Sequence, residues 1–264
     1  MARTYKDIIY EKKDHVVRIT INRPKQYNAM TGDTFNELTL AIEDAGSDGE
    51  VGVVVLTGTG DKAFSAGGDV NWEKTAGADR LILEPYNLHL TVSRCPKPVI
   101  ARVNGYAIGG GHHLAYWCDL TIAADHSIFG QNGPRVGSPA GGPIASYLAR
   151  VIGHKRAREV WMLCRRYTAK QALDWGLVNA VVPMEKLDEE VQKWCDEILA
   201  LSPTCLKILK ASFIDEFENN LGKGDAVRRL VLTPEFWSGE QQEGVNAFLE
   251  KRKPDFNKFR KAKS

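Results

Sequence analysis

The stretch GYAIGGGHHLAYWCD, residues 105–119, places three consecutive glycines before two histidines that begin an apolar helical pattern. Glycine costs backbone entropy, so three in a row are typical of a sharp turn or a close approach to another group. A related turn, AFSAGGDV at residues 63–70, follows the strand-like run VGVVVLTG. Each turn leaves a strand and exposes backbone N–H groups, which favour negative charge, most of all at a helix start. Two such turns aimed at one point would stabilise a developing oxygen anion.

Composition and motifs argue against several classes of protein. The net charge of +2 is too small to predict nucleic-acid binding, although the tail at residues 250–264 is basic. The contiguous glycines form no GxGxxG fingerprint and no GK[ST] follows them, which argues against a dinucleotide or ATP. The five cysteines include no CxxC pair, so we expect reduced thiols and no metal site. The sequence has no signal-peptide pattern and no run of about 18 apolar residues, which predicts a cytoplasmic protein without a membrane partner.

Strand and helix patterns alternate through the first two thirds of the chain. Residues 15–24 alternate apolar and polar positions, and residues 51–60 form a β-branched run typical of a strand buried on both faces. A helix is predicted after the cap residue Thr31, and residues 97–111 predict one strand that runs into the glycines. This alternation predicts an α/β fold.

The last third of the chain has helical patterns. Residues 142–164 predict a helix in two pieces broken near Gly153, and a short capped helix is predicted to end at Gly176. Beyond residue 185 almost every segment has amphipathic helical spacing. We therefore expect a core domain over residues 1–185 and a helical segment over residues 186–264 that packs on the core or on a neighbouring subunit.

Several segments taken together resemble the crotonase, or enoyl-CoA hydratase/isomerase, superfamily. They include INRPKQYNAM, DKAFSAGGD, CPKPVIARVNGYAIGGG, CDLTIAAD and ARVIGHKRAREVWMLC. Within the superfamily, FGQNGPRVGS, GHKRARE, GLVNAVVP and EGVNAFLEKRKPDFNKF are most similar to 1,4-dihydroxy-2-naphthoyl-CoA synthases and 2-ketocyclohexanecarboxyl-CoA hydrolases. The resemblance implies a spiral core of repeated ββα units, with the helical segment serving trimerisation and active-site capping. It also implies a homotrimer or homohexamer.

The resemblance implies an oxyanion hole formed by the backbone N–H groups of Gly68 and Gly110. The hole would hold the thioester oxygen of an acyl-CoA while an enolate forms, and fixed dipoles in a dry site lower that barrier. Ser138 is carried over as a further catalytic residue. Coenzyme A is expected as part of the substrate, with no tightly bound cofactor. Its expected contacts are Arg23, Lys25, Asn28, Ala29, Lys62, Ala66, Lys251 and Lys253. The expected acyl pocket comprises Asp69, Trp72, Tyr86, His89, Gly133, Ala140 and Phe236.

The chain departs from the family pattern at acid–base positions. Where the hydratases have two glutamates, this chain has His113 and Gly133, so hydration by two carboxylates is not expected. Where the synthases and hydrolases have an aspartate after the Gly-Ser pair, this chain has Ala140. Their tyrosine near the C-terminus corresponds to Phe236 or to its neighbour Trp237, and phenylalanine has no hydroxyl with which to move a proton.

The histidines offer a substitute for the missing groups. An unperturbed imidazole has a pKa of about 6.5, which suits proton transfer near neutral pH. Neighbouring helix positions point about 100° apart, so His112 and His113 cannot both face one cavity. His113 occupies a catalytic position of the hydratases and is the preferred acid–base residue, with a hydrogen-bonded core histidine as the alternative. Gly133 leaves room for a small ligand such as bicarbonate or water.

The resemblance leaves four functions open. The first is hydrolytic ring opening of a cyclic β-oxoacyl-CoA by C–C cleavage, the reverse of a Claisen condensation, with the enolate held at Gly68 and Gly110. The second is ring closure of the naphthoyl-CoA synthase type. The third is hydration of an enoyl-CoA or thioester hydrolysis using His113. The fourth is a non-catalytic protein that binds CoA. The first is preferred.

Overall fold

The computed structural model describes residues 3–76, 78–138, 140, 142–218, 233–256 and 259. The strands are β1 (Ile8–Lys13), β2 (Val16–Ile21), β3 (Val53–Gly58), β4 (Ala63–Ser65), β5 (Val99–Val103), β6 (Tyr106–Ile108), β7 (Leu120–Ala124), β8 (Ile128–Gly130), β9 (Arg166–Thr168) and β10 (Ala180–Val182). The α-helices are α1 (Gly32–Ser47), α2 (Val70–Thr75), α3 (Ala78–Arg94), α4 (Gly110–Trp117), α5 (Gly133–Val136), α6 (Pro143–Ile152), α7 (His154–Leu163), α8 (Ala169–Asp174), α9 (Leu187–Leu199), α10 (Pro203–Glu218), α11 (Pro234–Ser238) and α12 (Glu240–Leu249).

The described strands form two sheets. The larger has the order β1-β2-β3-β5-β7-β10, in which β1 and β2 are antiparallel and the remaining pairs are parallel. The smaller has the order β4-β6-β8-β9, with β4, β6 and β8 parallel and β9 antiparallel to β8. Because β4, β6 and β8 run the same way, the loops that follow them meet at one edge of the smaller sheet.

The chain repeats one unit of two strands and a helix. β3, β5 and β7 of the larger sheet are followed by β4, β6 and β8 of the smaller sheet, and each pair leads into a helix. This is the predicted ββα repeat. One detail of the prediction was wrong, because residues 97–111 form two strands rather than one. The chain bends at Gly105, whose φ is +153°, and a Cβ there would lie 2.2 Å from the carbonyl oxygen of Lys62.

Local capping signals are confirmed where they were predicted. The Thr31 side chain accepts from the Thr34 N–H and begins α1, and Thr168 begins α8 in the same manner. Helices α6 and α7 are separated at Gly153, where φ is +81°. These features depend on neighbours within a few residues, so the sequence predicted them directly.

The helices bury the large sheet on both faces, so β3 is buried along its whole length. On one face, α1 and α3 pack beside Leu38, Leu56 and Leu88 of the main apolar core. On the other, α9 contributes Leu187 and Val191 to a second apolar cluster. The first helix of the predicted C-terminal segment therefore packs directly on the strands of the core. Within the described part of the chain, every helix is too short or too polar to span a bilayer.

Helix α10 is tied to the core by a buried ion pair. The Lys210 ammonium lies 2.7 Å from Oδ2 of Asp119 and donates to the carbonyl oxygen of Lys97 at 2.8 Å. The Lys210 side chain is only 5% exposed, whereas that of Asp119 is 32% exposed. The same carboxylate accepts from the Val99 N–H at the start of β5. The pair therefore joins a C-terminal helix to the end of a core strand.

Replacing Lys210 by methionine is expected to lower the free energy of unfolding by about 2–3 kcal/mol, because it leaves the Asp119 carboxylate without its cation. A fully buried pair would lose about 3–5 kcal/mol, and the partial exposure of Asp119 reduces this loss. Urea unfolding monitored by circular dichroism measures the change. Lys207→Met, at an exposed position one turn earlier on α10, is the matched control. Equal unfolding midpoints for the two variants would contradict the anchoring role.

Candidate active site

A cavity of about 470 Å³ lies where the loops after β4, β6 and β8 meet. Ala66–Asp69 follow β4, Gly109 and Gly110 follow β6, and Gln131–Gly133 follow β8. The wall is completed by Phe248 and Leu249 at the end of α12. The parallel order of the small sheet thus brings together three loops that are far apart in the sequence, as ligand sites at the carboxyl ends of strands require.

The two glycine turns pack directly against each other. Gly67 has a φ of +99°, and a Cβ built on it would lie 2.8 Å from the carbonyl oxygen of Ile108 and 2.9 Å from the nitrogen of Gly110. A Cβ on Gly111 would lie 2.1 Å from the carbonyl oxygen of Ser65. These contacts exclude side chains at both positions, because real Cβ atoms do not approach backbone atoms so closely. The glycines are therefore required by the close approach of the turns.

The N–H groups of Gly68 and Gly110 are free at the cavity wall. The Met30 N–H donates to the carbonyl oxygen of Gly67, and the Asp69 N–H donates to the carbonyl oxygen of Met30. Gly68 lies between these two bonded residues, so its N–H points away from Met30. Gly110 is the first residue of α4, where a helix has no internal acceptor for its N–H. Neither N–H bonds to a residue that the structure describes. A Cβ on Gly110 would lie 3.5 Å from the Gly68 nitrogen, so the two donors are neighbours.

His113 is the histidine that lines the cavity, while His112 is buried beside Tyr116 and Phe129. The His113 Nε2–H donates to Oε1 of Gln131 at 2.9 Å, and the Gln131 amide donates to Nδ1 of His112 at 3.0 Å. One glutamine thus fixes the orientation of both imidazole rings.

Burial keeps the His113 ring neutral near neutral pH. Its pKa lies well below the ordinary 6.5, first because burial disfavours the charged form and second because His89 lies close by, while the bond to Gln131 opposes the shift. The imidazole was expected to titrate near neutral pH, and the structure differs because the ring lies in the core rather than in open solvent. His113 is better suited to orient a group in the cavity than to hold a proton.

Two charged side chains of the cavity wall were absent from the sequence-based site. Glu73 on α2 and Arg166 on β9 both line it. The Arg166 guanidinium donates to the carbonyl oxygen of Gln131 at 2.8 Å and to Oδ1 of Asn132 at 3.2 Å. No carboxylate among the described residues pairs with it, and burial, with Arg135 nearby, lowers its pKa. Neither residue belongs to a recognisable motif, so no signal in the sequence marked it.

A family model described as enoyl-CoA hydratase/isomerase matches residues 11–260. The chain belongs to the enoyl-CoA hydratase/isomerase family. Similar solved structures include an enoyl-CoA hydratase from Mycobacterium avium subsp. paratuberculosis K-10, which is 29% identical with a TM-score of 0.82, covering 96% of this chain and 99% of that chain. A methylmalonyl-CoA decarboxylase in complex with 2-nitronate-propionyl-CoA is 29% identical with a TM-score of 0.83 and the same coverage. An enoyl-CoA hydratase/isomerase from Xanthobacter autotrophicus Py2 is 30% identical with a TM-score of 0.78, covering 94% of this chain and 98% of that chain.

Membership of the enoyl-CoA hydratase/isomerase family makes this chain an enzyme that acts on CoA thioesters. The fold is that of the family, with the predicted repeated α/β core and helical C-terminal segment. The cavity at the two glycine turns is therefore the candidate active site.

Two of the residues expected to contact CoA have side chains that bond to other groups of the protein. Arg23 lies 3.0 Å from Oδ2 of Asp69 and 3.5 Å from Oδ2 of Asp7, and its guanidinium also donates to the carbonyl oxygen of Ala29. Asn28 is buried and donates to the carbonyl oxygens of two other residues, at distances of 2.7 and 3.1 Å. Their polar atoms hold the turn in shape, and direct contact of these two side chains with CoA remains a prediction.

The other expected CoA contacts fall into two groups. Ala29 and Ala66 line the main cavity. Lys62 lines a smaller cavity of about 370 Å³ beside the exposed rings of Tyr27 and Tyr106, which both border the main cavity as well. Three further lysines are exposed and outside the cavity wall, and they are Lys25, Lys251 and Lys253. Their contact with CoA remains a prediction.

The expected acyl-pocket residues are only partly brought together. Asp69 lines the cavity and begins α2, where its carboxylate accepts from the N–H groups of Asn71 and Trp72. Trp72 packs on Phe35 instead of lining the cavity. His89 is fully buried against His113 and Trp117.

Two other acyl-pocket predictions lie away from the described cavity. Phe236 packs edge-on against Trp237 and is absent from the described cavity wall, so its place in the acyl pocket remains a prediction. Both rings lie on α11 and contact each other, which the sequence pattern did not indicate. The Tyr86 side chain lies outside the described residues.

Gly133, Ser138 and Ala140 meet at another part of the wall. The Ser138 N–H donates to the carbonyl oxygen of Gly133 at 3.0 Å. A Cβ on Gly133 would lie 3.0 Å from the Ser138 carbonyl oxygen and 3.9 Å from Cβ of Ala140. A small ligand such as bicarbonate or water at Gly133 remains a prediction.

Proposed function

We propose that the enzyme opens the ring of a cyclic β-oxoacyl-CoA by adding water across a C–C bond. The observation that carries this proposal is the pair of free N–H groups at Gly68 and Gly110, which face one cavity and can hold one thioester oxygen. Water adds to the ring ketone, the bond to the α-carbon breaks, and its electron pair forms the thioester enolate. The negative oxygen is stabilised by the two fixed N–H dipoles, and protonation of the α-carbon completes the reaction.

Three further observations support ring opening. The segments FGQNGPRVGS and GHKRARE resemble those of synthases and hydrolases of cyclic acyl-CoA compounds. Ring opening creates a new carboxylate, and Arg166 supplies a guanidinium in the same cavity that no described carboxylate neutralises. A structural neighbour binds 2-nitronate-propionyl-CoA, an acyl-CoA that carries an anionic group as an enolate does.

Product analysis by mass spectrometry tests the proposal. The enzyme is incubated separately with 2-oxocyclohexanecarboxyl-CoA, o-succinylbenzoyl-CoA and a straight-chain enoyl-CoA. We expect the first to gain one water while its acyl group stays on CoA, since ring opening leaves the thioester intact. Reactions without enzyme control for spontaneous hydrolysis, which releases free CoA.

The alternatives give different products in the same experiment. Loss of water from o-succinylbenzoyl-CoA would establish ring closure, and gain of water by the enoyl-CoA alone would establish hydration. Release of free CoA above the control would establish thioester hydrolysis. Unchanged masses for all three compounds would overturn the proposed reaction for these substrates.

A further inference from the structure

The carboxyl group of Glu73 lies directly against the oxyanion glycine. Glu73 is in the second half of the short helix α2, and its N–H donates to the carbonyl oxygen of Asp69 at 2.8 Å. A Cβ built on Gly68 would lie 2.0 Å from Oε1 of Glu73, so the carboxyl occupies the space that a side chain at Gly68 would fill. Glu73 also lines the cavity. A thioester held at the Gly68 N–H would therefore lie beside this carboxyl.

No cation neutralises this carboxyl among the described residues. The nearby Asp69 is itself paired with Arg23. From α12, the neutral Gln241 amide lies 3.4 Å from the backbone carbonyl oxygen of Glu73, and Glu243 is paired with Arg252. The Glu73 carboxyl thus has neither an ion pair nor a described hydrogen bond to hold it in one ionisation state.

The surroundings place the protonation equilibrium of Glu73 near neutrality. Burial, followed by the negative charge of Asp69, raises its pKa from 4.5 to about 7. A carboxyl with such a pKa is present in both forms at neutral pH, so it can accept a proton and return it. This accounts for proton transfer at a site where Ala140 replaces the aspartate and where the His113 ring is kept neutral.

We propose that Glu73 is the acid–base residue of this active site and exchanges a proton with the attacking water and with the α-carbon. The carboxylate takes one proton from water as its oxygen bonds to the ring ketone. The C–C bond then breaks, its electrons form the enolate, and the Glu73 acid protonates the α-carbon. This proton transfer restores the Glu73 carboxylate, and the new carboxylic acid releases its own proton to solvent.

This role rests on the proposed enolate chemistry, and its test uses Glu73→Gln, which keeps the shape and removes the titrating group. Two readouts are measured on the full-length protein. One is the pH dependence of kcat with 2-oxocyclohexanecarboxyl-CoA. The other is exchange of the α-proton of cyclohexanecarboxyl-CoA in D₂O, followed by NMR, which requires no ring opening. We expect both rates to fall about 100-fold. The limb of the wild-type pH profile near pH 7 should also be absent.

Two further variants complete the test. Glu73→Asp retains a carboxyl, so its pH profile of kcat is expected to keep a titrating limb, with a reduced rate. A variant that had lost its structure would show no such limb. Glu11→Gln removes an exposed carboxyl from β1 and should leave both readouts unchanged. Wild-type rates and pH profile in folded Glu73→Gln would overturn the role of Glu73. Proton exchange without ring opening in the wild type would overturn the proposed reaction, and loss of that exchange in Glu73→Gln would still support proton transfer by Glu73.

Discussion

Replacing Gly110 by alanine is expected to lower kcat by about 10²–10³-fold, the usual cost of losing one oxyanion donor. The added methyl group would lie 3.5 Å from the nitrogen of Gly68, at the turn where the thioester oxygen must approach both N–H groups to about 2.9 Å. Binding of the CoA moiety should change little, because Gly110 is not among its expected contacts. Steady-state kinetics with the substrate identified by product analysis measures the effect.

The matched control for this substitution is Gly49→Ala. A Cβ at Gly49 meets no atom within 4 Å, so this variant should keep full activity. At Gly110 the nearest contact is Cε of Met30 at 3.3 Å, the end of a flexible side chain that can move, so the fold should persist. Circular dichroism confirms folding before activity is compared. A folded Gly110→Ala enzyme with wild-type kcat would remove the two-amide oxyanion hole from the mechanism.

Lowering the pH from 7 to 5 is expected to destabilise the protein strongly through its buried histidines. Burial lowers the pKa of His89 to about 4 and that of His112 to about 3, with Arg166 as a second cause for His112. Unfolded histidine has a pKa near 6.5, so below that value the unfolded chain binds more protons than the folded chain. Each buried ring therefore makes its full contribution to the free energy of unfolding above pH 6.5. This contribution is lost as the pH falls toward the pKa of that ring in the folded protein.

The expected loss at pH 5 is about 2 kcal/mol for each of the two rings, from roughly 1.5 pH units at about 1.4 kcal/mol per unit. The raised pKa of Glu73 acts in the opposite direction on acidification. Its contribution to the free energy of unfolding is lost as the pH rises from 4.5 to about 7, and is regained as the pH falls. A single-residue comparison therefore isolates the histidine effect. Replacing His89 by leucine should reduce the difference in unfolding free energy between pH 7 and pH 5 by about 2 kcal/mol.

Urea unfolding at both pH values measures this difference. His154→Gln, at an exposed histidine, serves as the matched control and should retain the wild-type pH dependence. The His89 variant has a different absolute stability because it loses the bond to the carbonyl oxygen of Pro85, which is why the pH difference is compared. An unchanged difference in that variant would show that His89 does not stay neutral in the folded core.

The local elements of the fold were predictable from neighbouring residues. Thr31 and Thr168 cap helices, and Gly153 interrupts one, because each acts on the chain a few residues away. The bend at Gly105 was missed because it depends on close approach to Lys62, more than 40 residues earlier. The helices over Val70–Thr75 and Ala78–Arg94 carried no predicted secondary structure, although the segment was expected near the site.

The site was predictable only where the type of residue itself determines which backbone conformations and close contacts are possible. The glycines at 67, 68, 110 and 111 marked the two turns, and His113 reaches the cavity as expected. Arg23 and Asn28 were expected to face CoA, but buried partners satisfy their polar groups. Whether a polar side chain faces a ligand or the interior depends on partners that are distant in the sequence.

The sequence by itself determined the α/β alternation, the glycine turns and the family to which the enzyme belongs, since these depend on residue type and short spacing. Tertiary structure alone decided which charges meet in the cavity. It placed Glu73 against Gly68 and left Arg166 without a described carboxylate, and it buried three histidines in one cluster. The physical reason is that pKa and charge pairing depend on burial and on neighbours brought together by parallel strands, which no single segment contains.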